Sequence, residues 1–81
     1  MTTELTNRLD RIKAELNRNI AKWKNVEGLT PQICHLATQR DLSLLMAIDA
    51  LETIAAQRDN AGALVAEQKL TSICDTWEAK P

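Results

Sequence analysis

Phenylalanine and tyrosine are absent from this 81-residue chain, and glycine, proline, cysteine and tryptophan occur only twice each. Scarce glycine and proline leave few places for the backbone to turn, so long uninterrupted helices are expected and strands are not. No apolar run approaches the ~18–20 residues of a membrane span. The longest is Leu44-Leu45-Met46-Ala47-Ile48. Excess charge is also missing: 10 Lys and Arg stand against 11 Asp and Glu, net −1, which excludes a strongly acidic nucleic-acid mimic and a strongly basic coat. The opening Met1-Thr2-Thr3-Glu4 lacks a basic stretch leading into an apolar one, so no secretory signal is expected. Cys34 and Cys74 are therefore expected as reduced thiols in a cytoplasm.

What is present is aliphatic and helix-forming. Leu, Ile and Val supply 19 residues and Ala 11. From Thr3 to Val26 the apolar residues Leu5, Leu9, Ile12, Leu16, Ile20 and Trp23 step by three and four, one face of an amphipathic helix. Asn19 falls beside that row, either as a boundary residue tipped to solvent or as a polar seam residue that fixes register. Gly28 is the stop, with a left-handed conformation expected. A linker at 27–30 follows, and Thr30-Pro31 restarts the chain, a hydroxyl cap before proline at the first helical position.

A short helix over 31–37 is expected next, with Ile33 and Leu36 facing inward. Thr38-Gln39-Arg40-Asp41 reads as a second helix start, Thr38 capping and Asp41 favoured by the helix dipole. The alternative is one helix running through from Pro31. From 38 to 59 the row Leu44, Ile48, Leu51 and Ala55 faces the core, widened by Leu45 and Ile54. Beyond Gly62 the row becomes Ala63, Ala66, Leu70, Ile73 and Trp77, over a helix at 63–79. Carrying the earlier row forward would bring Arg58, Gly62 and Lys69 into the core, so the apolar phase shifts at residues 60–62. A turn or kink there makes three helices of about 24, 22 and 17 residues, near 36, 33 and 25 Å long. Without it, a helix of about 63 Å would outrun the first helix and need a second chain. The expected fold is thus all-α: one domain, a small helical bundle or helical hairpin, dimerising to cover a core that 81 residues fill only narrowly.

Residues 1–26 carry net +3 and residues 27–81 net −4, which favours helix one lying against the rest, within or between chains. Chemistry-bearing clusters are few. Cys34 and His35 are adjacent, but neighbours on a helix diverge by about 100° and do not converge on one ion. A buried small cysteine and a half-exposed histidine are expected there. Neither CxxC nor HExxH occurs, nor does a glycine-rich phosphate loop. We expect no enzyme, no metal and no cofactor. The basic residues Arg8, Arg11, Lys13, Arg18, Lys22 and Lys24 form the one candidate nucleic-acid stripe, interrupted by Glu4, Asp10 and Glu15. Tryptophan and arginine dominate interface hot spots. A surface joining Arg11, Arg18, Lys22, Trp23 and Trp77 is therefore the candidate partner-binding site, provided the helix ends meet.

The stretch Asp41-Leu42-Ser43-Leu44-Leu45-Met46-Ala47-Ile48-Asp49-Ala50-Leu51-Glu52, followed by Ala55-Ala56-Gln57-Arg58-Asp59, resembles the short helical early-region accessory proteins of temperate lambdoid phages. These carry a Leu-Leu…Ala-Leu-Glu helix followed by an Ala/Glu/Arg-rich coiled segment. The resemblance covers roughly residues 38–70 and breaks at Asn60-Ala61-Gly62. It implies a small non-enzymatic phage or mobile-element protein that binds and modulates a host protein, of host-takeover or anti-defence type, and assigns no residue a role. The alternatives are a nucleic-acid-binding dimer using the basic face of helix one, and a purely structural coiled-coil adaptor.

Overall fold

A computed structural model describes residues 1–24, 26–57 and 61–79. Among the described residues three helices follow in order: α1 (Thr3–Trp23), α2 (Pro31–Ala55) and α3 (Gly62–Glu78). Among the described residues there are no strands. The chain is an all-α bundle, as composition and periodicity imply.

Local chemistry sets the helix starts. Thr2 Oγ1 accepts from the Leu5 N–H at 3.1 Å, and Thr30 Oγ1 accepts from the Ile33 N–H at 3.2 Å, with Pro31 just inside α2. Gly28 takes φ 86°, the left-handed conformation expected of it. It lies in the turn after α1 rather than at its cap, because α1 ends at Trp23, three residues before Val26. Gly62 is not itself a turn residue; it opens α3. The break between α2 and α3 therefore precedes it, and Arg58–Asn60 lie outside the described residues.

The expected division at Thr38 is corrected: α2 is one helix of 25 residues from Pro31 to Ala55. Thr38 caps nothing. Its hydroxyl donates to the Cys34 carbonyl one turn back, at 2.8 Å, a bond compatible with the helix interior. Asp41 is mid-helix and 5% exposed, so it meets no helix N-terminus.

The connections make an up-down-up bundle. Lys13 Nζ lies 2.8 Å from Glu52 Oε1 and Trp23 Nε1 lies 3.1 Å from Asp41 Oδ2, so α2 runs back along α1. The Met1 nitrogen lies 3.9 Å from a Glu67 oxygen, and Arg8 reaches Asp75 and Glu78, so α3 rises beside α1. The core joins Leu5, Leu9, Ile12 and Leu16 of α1, Ile48 and Ala55 of α2, and Ala66, Leu70 and Cys74 of α3. Leu44, Leu45, Leu51, Ile73 and Trp77 pack around it half-buried. Ile20, Trp23 and Asn19 are half-buried at the far end of the α1 row.

Ile33 and Leu36, expected inward, are 49% and 62% exposed. A continuous α2 carries one phase throughout, set by Asp41, Ile48 and Ala55. At 3.6 residues per turn Leu36 points about 120° from Ile48, away from both neighbours. Ile33 points within about 20° of Leu44 and Leu51, the flank that α3 covers. The last α3 turn, however, reaches only the level of Leu44, so the first ten residues of α2 have no third helix beside them. Ile54 is also exposed, at 37%.

Candidate functional site

The charge asymmetry becomes contacts within the chain. Arg8 Nε donates to Glu78 Oε1 at 3.0 Å and its Nη2 to Glu78 Oε2 at 2.9 Å and Asp75 Oδ1 at 2.8 Å. This fork ties α1 to the last turn of α3. The hydrogen bonds from Arg8 hold the Glu78 carboxyl below the usual carboxylate range, and Glu78 and Asp75 push the Arg8 guanidinium up. Lys13 is likewise raised, chiefly by its hydrogen bond to Glu52. Two of the six cations in the basic stripe of α1 are therefore committed to the bundle. Arg11, Arg18, Lys22 and Lys24 are exposed.

The two tryptophans are held by different helices. Trp77 donates its indole N–H to Glu15 Oε2 at 3.0 Å, in a shallow groove also lined by Arg8, Arg11, Ile12 and Glu78. Trp23 donates instead to Asp41 Oδ2 at 3.1 Å. Its groove, of about 440 Å³, is lined by Lys24, Val26, Leu29, Pro31, Cys34, His35 and Thr38. Trp23 and Glu15 are eight residues apart on α1, about 12 Å along the axis. The candidate surface is thus divided. Trp77 goes with Arg11 on the α1–α3 flank, Trp23 goes with the loop end, and Lys22 and Arg18 belong to the outer surface of α1 near the latter.

Asp41 is the residue that sequence reasoning misassigned. Its carboxylate faces α1 and also takes a 3.3 Å contact from Arg40 Nε. The available signal was an acid in phase with Ile48 and Ala55: an inward carboxylate needs a donor, and the Trp23 N–H on the facing helix supplies one. With its nitrogen fixed on Asp41, the indole is half-buried and lines the groove.

Cys34 is half-buried rather than buried, and His35 is exposed rather than half-exposed. Cys74 is the fully buried thiol, and burial pushes it up from its ordinary value. No group of three or more His, Cys, Asp or Glu among the described residues could hold a metal. No helix there is long and apolar enough to cross a membrane. No family model, curated protein or solved structure matches the chain.

Proposed function

We propose that this chain is a small non-enzymatic binding protein that docks a segment of another protein in the Trp23 groove and alters that partner's activity. The observation that carries this reading is the open loop end of the α1–α2 pair. There an aromatic ring anchored by Asp41 meets exposed Leu29, with Lys22 and Lys24 close by and Glu27 the one acid in the adjoining turn. A pre-oriented tryptophan with a cationic rim suits a short apolar segment flanked by acids. The resemblance to phage accessory proteins makes that partner a host protein. The nucleic-acid alternative is weakened because Arg8 and Lys13, a third of the basic stripe, are paired with Glu78, Asp75 and Glu52.

The test is a tagged pull-down from bacterial lysate with nuclease, at low and high salt, comparing the native chain with Trp23→Ala and with Lys22→Glu/Lys24→Glu. The charge variant alters only exposed side chains and should fold normally. One stoichiometric protein held by the native chain through salt and nuclease, and lost by both variants, supports the reading. Recovery of self-copies alone, of nucleic acid released by salt, or of a protein indifferent to both variants overturns it.

A further inference from the structure

The outer face of α2 carries a second apolar row that the bundle does not use. Leu36, Arg40, Ser43, Ala47, Ala50 and Ile54 follow one another by alternating steps of four and three, and every one of them is exposed. Such spacing is the seam of a two-helix coil. The acids of α2 all lie off it: Asp41 is turned inward, Glu52 holds Lys13, and Asp49 points about 140° away. Arg40 is the seam's one charge, paired with its own Asp41. A surface helix normally keeps a polar outer face. Here Leu36, Ala47, Ala50 and Ile54 make four of the six outer positions apolar.

We propose that this face is a self-association surface, occupied by a second copy of the chain with the two α2 helices antiparallel. The row is self-complementary in that direction. About a two-fold axis near residue 45, Leu36 meets Ile54 of the second copy, Arg40 meets Ala50, and Ser43 meets Ala47. Large apolar residues thus close both ends, while small ones at the centre let the helices approach to about 8 Å. A parallel pair in register would instead place Arg40 against Arg40; the antiparallel pair separates them by about 15 Å along the axis. Met46, 63% exposed, flanks the seam at its centre, where the two-fold brings it to its own copy.

The area argues for a copy of the whole chain rather than a lone helix. Beside the seam lies a shallow groove of about 280 Å³ between α2 and α3, lined by Leu44, Ser72, Ile73, Thr76 and Trp77. Val65 of α3, 51% exposed, continues the same side. A face about 35 Å long and two helices wide covers ~600 Å² per chain, ~1,200 Å² in all, the lower edge of stable interfaces. Seam packing alone would cover about half that and fall among weak contacts.

The proposal is independent of the Trp23 groove, which opens on another side of α2. Sedimentation equilibrium from micromolar to millimolar chain should show a monomer–dimer transition. Ala50→Glu should weaken it by about tenfold or more, because the carboxylate would be buried at the seam. Circular dichroism should remain native, since residue 50 is exposed in the single chain. Orientation is read by oxidation in a Cys34→Ser background. Chains carrying Leu36→Cys should crosslink to chains carrying Ile54→Cys and not to one another. A native chain that stays monomeric, a dimer indifferent to Ala50→Glu, or a Leu36→Cys homodimer would each overturn the proposal.

Discussion

The two ends of this bundle obey the same helical code with opposite results. At the end where all three helices run together, Leu9, Leu16, Ile48, Leu70 and Cys74 are fully enclosed. At the loop end, where only α1 and α2 remain, Ile33 and Leu36 are exposed and Trp23 is half-buried. α2 spans both regions without interruption. An apolar residue in a helix is buried when a neighbouring helix reaches it on the correct flank. The deeply packed end holds the chain together, and the thin end leaves apolar side chains exposed.

The comparison breaks most sharply on core truncation. Leu70→Ala or Ile48→Ala should destabilise the fold by about 2–5 kcal/mol. Leu36→Ala, an identical chemical change at the thin end, should stay within about 0.5 kcal/mol for the dissociated chain. Urea titration at low chain concentration measures both. Similar losses would mean that the thin end is packed as tightly as the thick one.

Asp41→Ala comes next. It removes the acceptor for the Trp23 N–H at a 5% exposed position and should cost about 1–3 kcal/mol. Asp41→Asn, which can still accept, should lose less, and Trp23 fluorescence should change with both. If Trp23 emission is indifferent to Asp41→Ala, the indole is not held by that carboxylate.

Gly28→Ala probes the backbone of the thin end. Nothing lies within 4 Å of the added Cβ, so its cost is that of a left-handed alanine alone, about 1 kcal/mol. A neutral melting midpoint would show that the turn relaxes to negative φ.

The smallest effect belongs to the Arg8 fork, whose partners sit in solvent. Glu78 has a lowered folded-state value, so its contribution is present above the ordinary carboxylate value of about 4.3 and is lost as pH falls through the lowered one. A double-mutant cycle with Arg8→Met and Glu78→Gln should show coupling at pH 7 that disappears in acid; coupling equal at both would place its origin in packing. Lys13 has the opposite sign: its raised value makes the Glu52 contact fully effective below about pH 10.4 and weaker above.

Much of the fold is legible residue by residue. The α1 row from Leu5 to Leu16 is buried as its spacing requires, and so are Ala66 and Leu70 of α3. Thr30-Pro31 begins α2, and the change of apolar phase expected at residues 60–62 does mark two helices, one ending at Ala55 and the next opening at Gly62. The error at Thr38 came from reading capping residues one at a time: Thr38 and Asp41 each suit a helix start, and each found a different partner. Of the candidate binding residues, Trp23 and Lys22 lie near the loop end while Arg11 and Trp77 line another flank. Recurring positions on separate helices reveal which residues share a face but not which faces share a groove.

Helical state, the Thr30 cap, the left-handed Gly28 and the inward rows of α1 and α3 follow from the sequence alone, because each depends on neighbours within a turn or two of the chain. The continuity of α2, the placing of Asp41 under Trp23, the spending of Arg8 and Lys13 on α3 and α2, and the bare flank at Ile33 and Leu36 follow only from the tertiary structure. Those features depend on how far α3, at 17 residues, extends along helices of 21 and 25. That relation joins residues up to 70 positions apart, and no local spacing encodes it.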